Sequence, residues 1–171
     1  MENRINQHTN QHLTRFFIIT FVLSWLLWLP SVLQSNWFPN WPDVVGLPGM
    51  FAPFGPAIAA FWLTWRHSGR NGAHALWRSG WRFNFDRRWL WPTLLLGPLA
   101  VGLTAVLIRL TGRALDWSAG VPPLMIVPIF LLIFFTNALP EEYGWRGYAL
   151  NPLQRTTSPL LASLLLGGFV P

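Results

Sequence analysis

Residues 117–140 read WSAGVPPLMIVPIFLLIFFTNALP, an uninterrupted run without a charged side chain, and the two residues that follow are Glu141 and Glu142. A bilayer core is crossed by about 20 mostly apolar residues. The run is therefore long enough to span a membrane, and it ends against two carboxylates. Outward from it the same pattern repeats. Intervals 16–42, 44–65 and 89–108 are also free of charge, and a fifth, 156–171, is too short to cross. Charged residues make up only 11% of the 171, against about 25% in a soluble globular domain. The composition points away from a soluble fold. The expectation is an all-α polytopic membrane helix bundle with four full transmembrane helices and a truncated fifth.

The spans fall at about 16–33, 44–65, 89–108 and 121–139, with a partial one at 159–171, and residues 1–15 form a polar tail. The first is longer than the core of a secretion signal and has no small-residue cleavage site after it, so it reads as a retained anchor. The second contains Gly49, Pro53, Gly55 and Pro56, tolerated in membranes where neighbouring helices satisfy the freed backbone groups. Ser158 and Pro159 suit the start of a further helix.

All 12 basic residues are arginine, giving a net charge of +6. They sit between apolar spans, which points to anionic lipid head groups rather than nucleic acid. Arg4 and Arg15 in the tail, six arginines at 66–88 and two at 140–158 fall on one side, whereas only Arg109 and Arg113 fall on the other. The positive-inside rule then puts the N-terminus in the cytoplasm. Trp37, Trp41 and Trp117 mark the outer boundary, and Trp62, Trp65, Trp89 and Trp91 the inner one. In the 66–88 segment, Trp77, Trp81 and Phe85 recur every fourth residue beside Arg78 and Arg82. Either an interfacial helix or a solvated basic loop with aromatic anchors accounts for this. With no cysteine in the chain, disulfides and thiolate chemistry are excluded.

One segment breaks the alternation of apolar span and basic loop: Asn137-Ala-Leu-Pro-Glu-Glu-Tyr-Gly-Trp-Arg-Gly-Tyr-Ala-Leu-Asn151. Ionisable groups at membrane depth are costly and mark a functional site by default. Pro140 suits the first turn of a helix, so a helix is expected to start or kink there. On it, Arg146 lies over the same face as Glu142, four residues earlier, and Glu141 lies elsewhere. Glu142 should pair with Arg146 and leave Glu141 free. A free carboxylate in poorly hydrated surroundings suits a general base that takes a proton from water. From spacing alone, an interfacial ion-pair cluster is the simpler account of the three residues.

The string Glu141-Glu142-Tyr143-Gly144-Trp145-Arg146-Gly147-Tyr148-Ala149-Leu150, followed by Pro152-Leu153-Gln154, resembles the first motif, E-E-x-x-x-R in a G-W-R-G-Y setting, of the type II CAAX prenyl endopeptidase and bacteriocin-processing family of intramembrane proteases. Residues 158–167 resemble the start of that family's next helix. The resemblance implies that Glu141 activates the attacking water, that Glu142 and Arg146 complete the motif, and that the fold is a helical membrane bundle with a cavity near the cytoplasmic side. It also implies a membrane-associated peptide substrate and, in some accounts of the family, a divalent metal such as zinc. The family's histidine motifs, F-x-x-x-H and H-x-x-x-N or H-x-x-x-D, are expected downstream of Glu141, and neither is present between it and residue 171. His8 and His12 read as part of a solvated tail, and His67 and His74 as tuning the charge of the basic segment. The chain is thus expected to be the N-terminal part of such an enzyme, inactive alone, in a bacterial inner membrane. The alternative is a non-catalytic membrane interaction protein or a small transporter component.

Overall fold

The structure, a computed structural model, describes residues 2–82, 86–113, 120 and 122–169, with side chains from residue 11 onward except those of residues 93, 123 and 169. Every regular element among them is helical. Four helices are long and apolar enough to cross a membrane, Gln11–Asn36, Asp43–Ser79, Arg87–Leu110 and Leu124–Thr156, and Pro159–Gly168 is a shorter apolar one. This is the architecture of an integral membrane protein, as the charge-free intervals predict. The chain divides into two compact units, residues 82–129 and the remainder.

In the larger unit, helix α1 spans Glu2–Asn36. The polar residues 2–15 are therefore helical and continuous with the first span, rather than a separate tail. Between α1 and α2 lies an unusually long 3-10 helix, Asp43–Phe54, with Pro48 and Pro53 inside it. Each proline withdraws a backbone donor, and side-chain donors of helix α1 tie the segment in place. Ser31 Oγ donates to the Gly46 carbonyl at 2.9 Å and Ser24 Oγ to the Ala52 carbonyl at 2.8 Å. The two serines are seven residues apart and so share a face of α1. Gln34 Nε2 extends the row to the Trp41 carbonyl at 3.1 Å.

Helix α2 spans Gly55–Ser79 and bends at Gly69, whose φ of 63° and ψ of −160° are non-helical. A side chain with a Cβ is strained at such a φ. The first leg packs Ala59, Ala60 and Leu63, all buried, against the rest of the unit. The second leg settles the open alternative at 66–88 in part: it is helical, but it ends at Ser79, so Trp81 lies in the following turn. Phe85 and Trp117 are outside the described residues.

The fourth span is longer than 121–139. It runs as α4 (Pro123–Ile133), a π-helical turn (Phe134–Ala138), α5 (Leu139–Glu142), a second π-helical turn (Tyr143–Ala149) and α6 (Leu150–Thr156). Helix α7, Pro159–Phe169, follows; the Ser158 hydroxyl accepts from the Leu161 N–H at 3.3 Å, as an N-cap does. Phe16 lies at the centre of the unit's core. It is fully buried, stacked on Tyr148 at 5.0 Å between ring centroids and edge-on to Trp145 at 5.6 Å.

In the smaller unit, Asp86 caps a short 3-10 turn, Arg87–Trp89, by accepting from the Arg88 N–H at 3.1 Å. Helix α3, Leu90–Leu110, then exposes leucines along its whole length, among them Leu94, Leu96, Leu103 and Leu107. Such all-round apolarity is what a helix presents to lipid.

The serine row is open to measurement. Ser24→Ala and Ser31→Ala should each lower stability in detergent by about 0.5–1.5 kcal/mol. Ser35→Ala, whose hydroxyl bonds only within its own helix, should leave the unfolding midpoint unchanged.

Candidate active site

The Glu141 segment is built into the middle of a continuous helix. Pro140 has no N–H and its ring crowds the carbonyl four residues back. The helix neither starts nor breaks there. It widens into the π-helical turn Phe134–Ala138 just before the proline and into a second one, Tyr143–Ala149, just after the two glutamates. Such turns concentrate at functional sites because they re-aim side chains without ending the helix.

The residues after the glutamates anchor this helix. Tyr143, Gly144, Trp145 and Ala149 are buried. Tyr143 stacks on Trp77 at 5.7 Å with the rings 9° from parallel, and its hydroxyl donates to the Trp77 carbonyl at 2.9 Å. Gly144 lies against Pro56. A Cβ added there would come within 2.7 Å of the Pro56 carbonyl carbon and 2.8 Å of its Cα, both backbone atoms. Gly147 faces only the flexible end of Leu76, 2.9 Å from a Cβ placed on it. The glycines of the G-W-R-G string thus set how closely this helix approaches α2.

With Tyr143 and Trp145 turned inward, the charged residues are left on the other sides. Arg146 Nη1 donates to Glu142 Oε2 at 2.7 Å, an i,i+4 pair as the spacing predicts, with side chains 73% and 47% exposed. Glu141 is half-buried, and among the described residues it has no hydrogen bond or ion pair. It lines a cavity of about 380 Å³ together with Glu142, Trp145, Arg146 and, from α7, Ser163 and Leu166. Glu142 and Arg146 also border a second cavity of about 610 Å³, reaching Gly80, Tyr143 and Asn151.

The contribution of α7 is absent from a motif-based reading. Its signal is a pair of i,i+4 spacings, Ala162 with Leu166, both buried, and Ser163 with Gly167, both at the cavity. Ser163 Oγ donates to the Pro159 carbonyl at 2.9 Å, so its oxygen remains available as an acceptor.

The donor set beside Glu141 does not fit a resident metal. Glu142 is engaged by Arg146, no histidine lines the cavity, and no cluster of three histidine, cysteine, aspartate or glutamate side chains exists among the described residues. His12 is not part of a solvated tail. It meets His67 edge to face at 4.3 Å between ring centroids, in a different cavity. The side chain of His8 is outside the described residues.

Residues 123–170, which include the whole site, match the family model for type II CAAX prenyl endopeptidase Rce1-like proteins. The string on which the resemblance rests lies within that match. No curated protein and no solved structure matches the chain.

The two motif glycines should respond in opposite ways. Gly144→Ala should destabilise the protein by about 1–3 kcal/mol through overpacking against a backbone that cannot yield. Gly147→Ala should be neutral or stabilising by up to about 1 kcal/mol, because the helix gains alanine's higher propensity and a leucine methyl moves aside. Thermal unfolding in one detergent measures both.

Proposed function

We propose that the chain carries the glutamate part of an intramembrane endopeptidase site that hydrolyses a peptide bond of a membrane-associated substrate. The observation that carries this reading is the asymmetry of the two adjacent carboxylates: Glu142 is paired with Arg146, and Glu141 stands half-buried at a cavity with no partner among the described residues. The match of this segment to a peptidase family supports it.

In the reaction Glu141 takes a proton from a water in the cavity as the water oxygen bonds to the scissile carbonyl carbon. The same proton then passes to the departing amine nitrogen as the C–N bond breaks. Arg146 lines the same cavity and is the cation available to the charge that develops on the carbonyl oxygen, and Glu142 holds it in position. Hydrolysis also needs further donors at that oxygen. An apolar cavity of about 550 Å³ between Phe54, Ile58, Phe61, Trp77 and Phe135 shares Leu139 and Tyr143 with the second cavity and suits a hydrocarbon portion of the substrate.

The test is gain of function. The chain alone, in vesicles, should cleave no peptide. Continued by the histidine-bearing helices of an active Rce1-like endopeptidase, it should cleave a prenylated peptide, and Glu141→Gln should lower that rate by at least about 100-fold. A chimera that cleaves equally well with Glu141→Gln would overturn the assignment.

We further propose a cytoplasmic N-terminus in a bacterial inner membrane, supported by the arginine distribution, with anionic lipid at the 66–88 segment. The cysteine-free sequence makes this easy to check. In spheroplasts an impermeant maleimide should label Asn40→Cys directly and His74→Cys only after permeabilisation; the reverse pattern would invert the topology.

A further inference from the structure

The larger unit has a second convergence of polar side chains, apart from the glutamates. A cavity of about 270 Å³ lies between α1, the first leg of α2 and the Tyr148 to Arg155 stretch, and its polar lining is His12, Thr64, His67, Ser68, Tyr148 and Arg155. A neighbouring cavity of about 350 Å³ shares His67 and adds Arg15 and Arg66, with Ile19 and Trp62 beside them. Among the described residues no aspartate or glutamate lines either cavity. The acids that form ion pairs among the described residues, Asp86 and Glu142, pair with Arg88 and Arg146. Arg15, Arg66, Arg155 and His67 therefore gather around this space, and among the described residues no carboxylate lines it.

We propose that these joined cavities bind a phosphate group. Three features favour it over a simple carboxylate. The donors approach from three chain segments rather than from one side, which suits the several acceptor oxygens of phosphate. Arginine forks match those oxygens in geometry as well as charge. His67 is already held in place, its Nδ1 2.6 Å from the Leu63 carbonyl, which fixes the ring, and in the imidazolium form its Nε2–H is a donor to a phosphate oxygen. The bend at Gly69 turns the chain immediately beyond Ser68 and limits the first leg of α2 at the cavity. The group has two sources of the same chemistry, the head group of an anionic phospholipid, whose chains would run along Ile19 and Trp62, and free phosphate.

The test uses the whole chain in a neutral detergent, offered phosphatidylglycerol, phosphatidylcholine or inorganic phosphate in turn, with bound ligand read by native mass spectrometry and phosphorus NMR. Phosphatidylglycerol or phosphate should bind the native chain at least about 10-fold more tightly than the His67→Gln/Arg155→Gln variant. Ser68→Ala with Tyr148→Phe, which removes two hydroxyls and keeps the ring on Phe16, should weaken binding about threefold. Arg109→Gln, in the other unit, should change nothing. Retention of phosphatidylglycerol that phosphate does not displace identifies the lipid head group; binding of phosphate by itself, with displacement of the lipid, identifies the free ion. Equal binding of phosphatidylcholine, or equal affinity in the native chain and both variants with helicity preserved, would overturn the proposal.

Discussion

The contact between Gly144 and Pro56 fixes the arrangement of the larger unit. Lipid tails are as apolar as leucine, so helices in a membrane gain little from hiding hydrocarbon and associate through close packing instead. A glycine facing the first turn of α2 allows that closeness. Once the two backbones touch, Tyr143 on one side falls onto Trp77 and Trp145 on the other falls onto Phe16. Both large aromatics of the string are thereby committed to packing. The polar residues between them, Glu141, Glu142 and Arg146, must occupy what remains of the helix circumference.

This division of labour lets one short string carry both the packing contacts and the charged residues to which the proposed function assigns the chemistry. The Glu142 to Arg146 pair is too exposed to add much stability. Its effect is electrostatic: it sets a guanidinium against one of the two adjacent carboxylates at the same cavity. The widened turns on either side of the glutamates serve the same end, since each shifts the angular position of the residues beyond it. A regular helix through Pro140 would clash at the carbonyl four residues earlier.

Much of this was legible in the amino acids and some was not. Charge-free length revealed the four crossings, because the cost of a buried charge applies residue by residue. The pairing of Glu142 with Arg146 followed from helical spacing, which a four-residue interval preserves even in a locally widened helix. The passage of the helix through Pro140 was not legible, since a proline after an apolar run fits a helix start as well as a π-helical turn. Nor was the encounter of His12 with His67, which depends on α1 continuing as a helix through residues whose polarity resembles a tail. The role of α7 was hidden for a different reason: Ser163 and Gly167 are unremarkable in composition and acquire meaning only from what they face.

The serine row along α1 bears on how the protein enters the membrane. The 3-10 segment Asp43–Phe54 interrupts its own backbone pairing at two prolines, and Ser24 and Ser31 on its predecessor donate to the carbonyls of Ala52 and Gly46 within it. Alone in hydrocarbon it would expose bare carbonyl groups, each costing several kcal/mol. Bonds from α1 into this stretch favour release of the first two crossings to lipid together, as a hairpin.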